Sequence, residues 1–534
     1  MGIQKKFLPL LIGVAIAAGI FIGSKLNFSD SSDKIFAKNS KKDKLNKLID
    51  YIDYEYVDKV NTDSIVDVTV NRILENLDPH SVYIPANQYQ ENADDMRGNF
   101  VGIGISFYVY KDTIAVIRTI KGGPAEKAGI KAGDRLLFAD KMKIFGDSIH
   151  RDSITKYLKG KINSKVTLKV FRKGEDEILD FKIKRKKIPI VSVDASYKIN
   201  ESLGYIKVNR FSETTYDEFK EALDKLQEEG ISSLVLDLRD NPGGYISTAQ
   251  SIVDEFLEDD KLILITKNKS GKKDETFATS QGDFEEGTLY VLINQNSASA
   301  SEIVAGALQD NDRGTIIGRR SFGKGLVQRE MSLGDGSAVR LTIARYYTPT
   351  GRSIQRPYEN GNSAYYHEYE NRYENGEMES KDSIKVVDSL RFVTPKGKVV
   401  YGGGGIIPDV FIPKDTSIEN ETLEYITRSG FVSYFVFEYL EKNRNDFTDY
   451  SLNDYVSNFE VSDELKNEFY EYSKIDEDNS DFKGHEEHLK VIIKASIAQQ
   501  LFGTNAFELI LNKDDKMIQK VLELDEETIL EVPE

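Results

Sequence analysis

Strand-like and helix-like segments alternate along most of residues 204–317, and this alternation constrains the fold more than any other feature of the chain. Residues 233–238 and 289–293 are short, mostly apolar runs of the kind found in buried strands, whereas residues 215–229 carry apolar side chains at helical spacing. Strands connected by helical crossovers form a parallel sheet covered by helices. The sequence therefore predicts a multidomain α/β fold.

The pattern changes several times along the chain, and each change marks a predicted boundary. Residues 43–95 have helical spacing, residues 100–107 alternate as a strand does, and the chain is helical and acidic from about residue 417 onward. The predicted division is an N-terminal signal anchor at 1–28, a tether and helical region at 29–95, a small β-rich module at 96–187, an α/β core at 188–415 with a polar surface excursion inserted at 358–385, and a C-terminal helical region at 416–534.

The N-terminus has the features of a membrane-targeting segment. Lys5 and Lys6 precede an uncharged, mostly apolar run at residues 7–23, which is about the shortest run that can span a bilayer. The small-x-small pattern Ala15-Ile16-Ala17 keeps a cleaved signal peptide open as the alternative. Both interpretations predict a location in the cell envelope, and the first anchors the chain in the cytoplasmic membrane with the remaining residues on the periplasmic side.

Composition and charge exclude several classes of function. The 71 basic and 88 acidic residues leave a net charge of −17, which is unfavourable for binding a nucleic-acid backbone. The absence of cysteine excludes thiol catalysis, disulfides and thiolate metal sites. His485 and His488 could in principle bind a metal, but the glutamates between them favour a solvated helix face. No metal and no cofactor is therefore predicted.

A serine at residue 299 is the best candidate nucleophile. The stretch Asn296-Ser297-Ala298-Ser299-Ala300-Ser301 lies between a buried-type strand and a helix that starts near Ser299. Unpaired backbone amides at a helix N-terminus, including that of Ala300, can stabilise an oxyanion. The alternative is an ordinary serine N-cap followed by small residues for close packing.

Two further stretches could complete such a site. Lys324 lies between two glycines in an apolar setting, where desolvation would lower its pKa and make the neutral amine available as a base. Gly243 and Gly244, at the end of Asp237-Leu238-Arg239-Asp240-Asn241-Pro242-Gly243-Gly244, could aim a backbone amide at a substrate carbonyl. Taken separately, each stretch also fits a plain surface turn.

Together these motifs resemble the carboxyl-terminal processing proteases, which are tail-specific serine peptidases of family S41. The resemblance runs from about residue 77 to 410, in the family's order, through LDPHSVYI, GNFVGIGI, GGPAEKAGIKAGD, DLRDNPGG, NSASASEIVAGALQD, GRRSFGKGLVQ and YYTPTGRSIQ. It implies a crotonase-like (ClpP/crotonase-type) protease core at 188–415 and a PDZ domain at 96–187. The helical N- and C-terminal regions would be additions to these two domains.

The resemblance also implies roles for individual residues. Ser299 would be the nucleophile, Lys324 the general base and Gln328 the residue that positions the lysine. The oxyanion donors would be the amide of Ala300 and a glycine amide, with Gly243 preferred to Gly244. A free C-terminus would bind the PDZ loop Gly102-Ile103-Gly104-Ile105 while its chain pairs with the adjacent strand.

The function implied is that of a serine endopeptidase that captures protein C-terminal tails and cleaves them through an acyl-enzyme. The expected partners are these tails and the cytoplasmic membrane, without nucleic acid, and the sequence leaves an oligomer or an adaptor open. One alternative is an inactive peptide-binding scaffold on the same fold. A second is a metal-dependent hydrolase, which only His485 and His488 suggest.

Overall fold

The protein is described by a computed structural model that covers residues 40–110, 112–146, 151–415, 421–474 and 484–531. The predicted signal anchor and most of the predicted tether lie outside these ranges. Within them, no helix is both long enough and apolar enough to cross a membrane. The chain separates into two compact units, residues 1–74 and residues 75–534.

Helices occupy the N-terminal unit, the crossovers of the core and the C-terminal region. The α-helices are α1 (Ser40–Glu55), α2 (Thr62–Glu75), α3 (Ala86–Arg97), α4 (Pro124–Ala128), α5 (Arg151–Leu158), α6 (Thr215–Glu228), α7 (Ile246–Asp254), α8 (Ala300–Asp310), α9 (Asn362–Glu374), α10 (Glu421–Arg428), α11 (Phe431–Asn443), α12 (Leu452–Asn458), α13 (Asp463–Ser473), α14 (Glu486–Phe502), α15 (Thr504–Leu511) and α16 (Lys516–Glu531).

The strands fall between residues 82 and 411. They are β1 (Val82–Ile84), β2 (Asn99–Gly102), β3 (Ile105–Tyr110), β4 (Thr113–Thr119), β5 (Arg135–Ala139), β6 (Met142–Lys143), β7 (Lys165–Phe171), β8 (Leu179–Lys184), β9 (Lys186–Pro189), β10 (Val193–Lys198), β11 (Leu203–Val208), β12 (Ser233–Asp237), β13 (Leu262–Asn268), β14 (Lys273–Phe277), β15 (Thr288–Ile293), β16 (Thr315–Gly318), β17 (Leu326–Ser332), β18 (Ala338–Tyr347), β19 (Arg391–Val393), β20 (Val399–Tyr401) and β21 (Val410–Phe411).

A six-stranded sheet in the order β10-β11-β12-β15-β16-β21 forms the centre of the core. All neighbours pair in parallel except β10 and β11, which confirms the predicted crossover architecture. Alternate side chains of β12 enter different cores: Leu234 and Leu236 pack with α6, α7 and α8, whereas Val235 packs with α16. Helices on both faces therefore bury the whole strand, which explains its continuous apolar run.

The ends of three adjacent strands lie at one edge of this sheet. The segments after β12, β15 and β16 leave from their carboxyl ends, where ligands bind in open α/β sheets. Backbone hydrogen bonds join the three segments, from the Ala298 amide to the Asn241 carbonyl at 3.0 Å and from the Phe322 amide to the Ser297 carbonyl at 3.0 Å. The three stretches singled out in the sequence are thus brought together here.

The β-rich module at residues 99–189 contains a six-stranded sheet, β3-β4-β5-β7-β8 with β6 on β5, and a separate β2-β9 pair. The predicted single strand at residues 100–107 is wrong, because Gly104, with φ of 76°, separates β2 from β3. Gly129, with φ of 93°, ends α4. The side chains buried beneath α5 include Ile103 and Leu168.

Three predicted features of the outer segments need correction. The segment at 29–95 is not purely helical, because β1 adds to the edge of β18 in a second core sheet. The segment at 358–385 is not a surface excursion, because α9 buries Tyr365 and Arg372. The helical region after residue 416 is not wholly separate, because Met517, Ile518 and Val521 of α16 pack beneath the central sheet.

Candidate active site

Ser299 lies immediately before α8 in a strained backbone conformation. Its φ of 57° and ψ of −109° are those of the first central residue of a type II′ turn, a place normally taken by glycine. For a residue with a side chain, such a conformation costs on the order of 1–3 kcal/mol, and such strain clusters at functional sites. Ser299 is only half-buried, so substrate can reach it.

Glu302 joins the serine segment to the lysine loop. Its side chain is fully buried, and its Oε2 accepts hydrogen bonds from the amides of Ser299 and Lys324, both at 2.8 Å. Its Oε1 accepts from Ser321 Oγ at 2.6 Å and from the Gly323 amide at 2.7 Å. Burial raises the pKa of Glu302, while these four donors act in the opposite direction. One carboxylate thus holds two segments that are separate in sequence.

Tyr346 makes a second connection between the same two residues. Its hydroxyl is within donating distance of two carbonyl oxygens, that of Ser299 at 3.1 Å and that of Lys324 at 2.9 Å. The amides of Ser299 and Lys324 therefore both donate to Oε2 of Glu302, and their carbonyls both lie at the hydroxyl of Tyr346. This arrangement makes the backbones of Ser299 and Lys324 neighbours in the fold.

The environment of Lys324 favours its neutral form. Burial, followed by repulsion from Arg340, lowers the pKa of Lys324 to about 8, although Glu302 and Asp78 act to raise it. No carboxylate of the described residues forms an ion pair with its amine. About a tenth of the amine is therefore unprotonated at pH 7 and about half at pH 8, which makes the neutral form available to act as a general base.

The glycine turn after β12 packs directly against the serine. A Cβ added to Gly243 would lie 2.7 Å from Ser299 Cβ and 2.8 Å from the Ala300 nitrogen, so only glycine fits at this position, where φ is 101°. The Gly243 amide donates to Asn241 Oδ1 at 2.9 Å. In the described part of the chain, the amides of Ala300 and Gly244 donate no hydrogen bond.

Gln328 lies in β17, four residues after the lysine. Its side-chain amide donates to the backbone carbonyl of His80. Its recorded hydrogen bond is therefore to the LDPHSVYI segment and not to the amine of Lys324, which the resemblance implied it would position. Gln328 links that segment to the lysine loop.

His80 was not among the candidate site residues that the sequence indicated. Its Nε2 lies 2.9 Å from the Tyr365 hydroxyl, and burial and the charge of Lys324 lower its pKa to about 3. The imidazole is therefore neutral. LDPHSVYI was already one of the family motifs, and that was the available signal.

The helix α9 of the predicted excursion covers the outer side of the lysine loop. Arg372, which is fully buried, donates to the carbonyl of Ser321 at 2.8 Å. The ring of Phe322 lies 5.3 Å from that of Tyr369, and the Arg356 guanidinium lies 4.3 Å above the Phe322 ring. The loop is therefore held from the Glu302 side and from the α9 side.

The predicted peptide-binding loop, Gly102 to Ile105, connects β2 and β3. The carbonyls of Ile103 and Gly104 accept hydrogen bonds from Ala125 and Ile120 at 2.9 Å and 3.1 Å. The strand β3 lies at the edge of its sheet, so an extended peptide could add to it. This loop belongs to the β-rich module and not to the group around Ser299.

Possible metal ligands outside the candidate site include His485 and His488. Within the described ranges, no group of three or more His, Cys, Asp or Glu residues is arranged to hold a metal ion. His488 has a pKa lowered by burial, and His485 lies at the start of the same helix, α14.

Comparison with known families agrees with the two central domains. The model for peptidase family S41 matches residues 202–359, and that for a PDZ domain matches residues 101–183. A family of unknown function matches residues 422–503, within the C-terminal helices. The fold and site thus define an S41 peptidase with a PDZ domain.

Similar proteins specify the kind of peptidase. The carboxy-terminal-processing protease of Bartonella bacilliformis is 34% identical over 66% of this chain and 80% of its own length. The carboxy-terminal processing protease CtpB of Bacillus subtilis is 34% identical over 59% of this chain and 65% of its own. A solved photosystem II D1 C-terminal processing protease is 25% identical over 72% of this chain and 89% of its own, with a TM-score of 0.36, too low to support the fold by itself. This chain belongs to the carboxy-terminal processing proteases of family S41.

Proposed function

We propose that this protein is a serine endopeptidase that captures protein C-terminal tails on its PDZ domain and cleaves them with a Ser299–Lys324 dyad. The observation that carries the proposal is the pair of shared partners, Glu302 and Tyr346, which joins the backbones of the two residues. The lowered pKa of Lys324 supports its role as base.

In the proposed reaction, neutral Lys324 takes the hydroxyl proton of Ser299 as the oxygen attacks the scissile carbonyl. The protonated lysine then gives this proton to the leaving amine, and an acyl-enzyme remains. A water molecule, deprotonated by the same lysine, attacks the ester carbonyl and forms a tetrahedral intermediate. Collapse of this intermediate releases the carboxylate product, and the lysine returns its proton to the serine oxygen. The dyad needs no histidine, and His80 is neutral and hydrogen-bonded to Tyr365.

The proposed oxyanion donors are the amide of Ala300 and one glycine amide of the turn after β12. Because the Gly243 amide already donates to Asn241 Oδ1, Gly244 is the better candidate in this conformation. Use of Gly243 would require that hydrogen bond to break when substrate binds. Two amide donors at this position would stabilise the charge that develops on the substrate oxygen.

The PDZ domain is proposed to hold the substrate C-terminus at Gly102-Ile103-Gly104-Ile105. The tail would pair with the free edge of β3, and the carboxylate would accept loop amides. Gln328 is proposed to help position Lys324 indirectly, through its hydrogen bond to His80.

The remaining architecture is also a proposal. We assign the PDZ domain to residues 96–187 and a crotonase-like core to residues 188–415, because crossover units with the site at their carboxyl ends fit such a core. The apolar run at residues 7–23 supports an anchor in the cytoplasmic membrane, with the peptidase on the periplasmic side.

The test is cleavage of casein and of a tail peptide by Ser299→Ala and Lys324→Ala proteins. Each variant should lose at least about a thousandfold in kcat, as expected when a nucleophile or its base is removed. Ser363→Ala and Lys385→Ala, which change residues outside the site, should retain wild-type turnover. Retention of wild-type turnover by either site variant would refute the dyad.

The alternative, an inactive peptide-binding scaffold, has a separate test. A serine-directed phosphonate should label the wild-type protein at Ser299 and leave Ser299→Ala unlabelled. Tail-peptide binding without labelling and without cleavage would favour the scaffold.

A further inference from the structure

The PDZ domain carries a second concave surface, away from the predicted peptide groove. It encloses about 570 Å³ and is formed by the segment leading into α4 and by β8 and β9. None of its lining residues belongs to the loop Gly102-Ile103-Gly104-Ile105 or to β3, where the peptide is proposed to bind. Its rim carries the side chains of six lysines, Lys121, Lys127, Lys182, Lys184, Lys186 and Lys187.

These six lysines, the lysine rim, are not neutralised by the protein. All six are exposed, and none forms an ion pair with any described residue. The nearby carboxylate of Glu126 accepts the Gly122 amide at 2.6 Å, and Lys186 contacts only the neutral Asn163 Oδ1 at 3.3 Å. The chain as a whole has a charge of −17, so the rim is a local reversal of sign that attracts anions.

The floor of the pocket is apolar. Its accessible apolar surface comes from the half-buried side chains of Ile120, Pro124 and Ala128, which lie over the buried Ile183 and Ile188. Lysine side chains extend over apolar surface with their ammonium groups outward. A charged rim above an apolar floor suits an amphiphilic anion better than a small inorganic ion, which would leave the floor in water.

The pocket lies behind the carboxylate-binding loop. β9 pairs with β2, the strand that leads into this loop, and Ile188 lies 3.1 Å from the position of a Cβ added to Gly104. A ligand on the lysine rim would therefore leave the edge of β3 open to a peptide.

We propose that this pocket binds the headgroup of an anionic phospholipid. The phosphate lies among the lysine ammonium groups, and the glycerol esters and first acyl carbons cover the apolar floor. The membrane surface would hold the PDZ domain by its rear face, with the peptide groove free. This inference does not depend on the Ser299–Lys324 dyad.

The test measures how fast each lysine of the full chain is acetylated, read by mass spectrometry. The probe is dihexanoyl-phosphatidylglycerol below its critical micelle concentration, so that bilayer insertion plays no part. Acetylation of the lysine rim should slow at least threefold, while Lys141 and Lys173, exposed on the same domain, should not change. The protection should weaken with salt, because it is electrostatic.

Matched variants make the assignment specific. Lys184→Gln/Lys187→Gln should weaken binding at least tenfold, whereas Lys141→Gln/Lys173→Gln should bind as wild type does. Ser299→Ala should be protected like wild type, which separates this site from the peptidase reaction.

Four outcomes would overturn the proposal. Absence of protection would remove the site, and equal protection by dihexanoyl-phosphatidylcholine would remove recognition of the anionic headgroup. Equal protection by inorganic phosphate would assign the rim to free phosphate. Tighter binding of a hexaglutamate peptide would assign it to an acidic protein segment.

Discussion

At the scale of single residues, the site depends on how one lysine loses its charge. Burial lowers the pKa of Lys324, and the positive charge of Arg340 lowers it further, against the opposing effect of Glu302 and Asp78. Arg340 is itself paired with Glu330 at 2.6 Å, so it remains in place on β18. The proton affinity of Lys324, the proposed base, is therefore set by residues from separate parts of the chain.

We expect kcat/KM to rise with pH through a midpoint of about 8, because Lys324 must be neutral to act and its pKa is about 8. Arg340→Gln removes a charge that lowers this pKa, so the midpoint should move to higher pH. The measurement is the pH profile of kcat/KM on a tail peptide. Arg329→Gln, an exposed neighbour on β17, should leave the profile unchanged, and an unshifted profile in Arg340→Gln would contradict the prediction.

Glu302→Gln tests the carboxylate that joins the two segments. Each carboxylate oxygen of Glu302 accepts two hydrogen bonds in the wild-type protein. The substitution replaces one of these oxygens by an NH2 group, which cannot accept, so two of the four hydrogen bonds would be lost. We expect kcat to fall at least about a hundredfold, with little change in KM, since misplacement of reacting groups costs this much. Steady-state kinetics with thermal unfolding would check this.

The control for Glu302→Gln is Glu370→Gln, because Glu370 is exposed on α9. It should be indistinguishable from wild type. A folded Glu302→Gln protein with normal kcat would show that the two segments hold their positions without the carboxylate.

At the scale of elements, α9 supports the lysine loop from outside. Its apolar and aromatic residues alternate with Glu and Asn, which is why the sequence indicated a surface excursion. The fold instead buries Arg372 and uses its guanidinium to bind the Ser321 carbonyl. The helix thus contributes to the site without contributing a reacting group.

Arg372→Ala should lower kcat more than about tenfold, because the loop of residues 321–325 loses a buried support. It should also destabilise the protein by roughly 3–5 kcal/mol, the cost of removing one partner from a buried ionic network. Faster hydrogen exchange in residues 321–325 is the direct readout. His367→Ala, exposed on the same helix, should leave activity and exchange unchanged.

At the scale of the whole molecule, the C-terminal helices hold the outer face of the PDZ sheet. Phe437 of α11 packs on Ala115 and Ile117 of β4, and Glu441 pairs with Arg135 of β5 at 2.7 Å. Tyr108, on the edge strand β3, lies with its ring 4.4 Å from that of Tyr434. The region that matches a family of unknown function therefore fixes the domain proposed to capture substrate.

Phe437→Ala should weaken this contact, because its buried ring is 1% exposed and its loss costs about 3–5 kcal/mol. Hydrogen exchange in β4 should accelerate, and tail-peptide cleavage should change while a short peptide that cannot reach the PDZ domain is cleaved as before. Phe431→Ala, more exposed on the same helix, is the control. Unchanged exchange in β4 would show that the PDZ domain is held by other contacts.

The sequence by itself determined the crossover core and the PDZ domain, and it singled out the residues that we propose to react. Residues 234–236 are all apolar because both faces of that strand are buried, and the stretches proposed to be catalytic are contiguous motifs. Such information is local, so it can be read without a fold.

Only the tertiary structure decided which distant residues meet at the site. Glu302 looks like an ordinary acidic residue in the first turn of a helix, and His80 lies over 200 residues from the serine. Neither periodicity nor composition reports a contact between distant segments, which depends on how the strand ends converge. The placement of α9, α16 and the C-terminal helices was missed for the same reason.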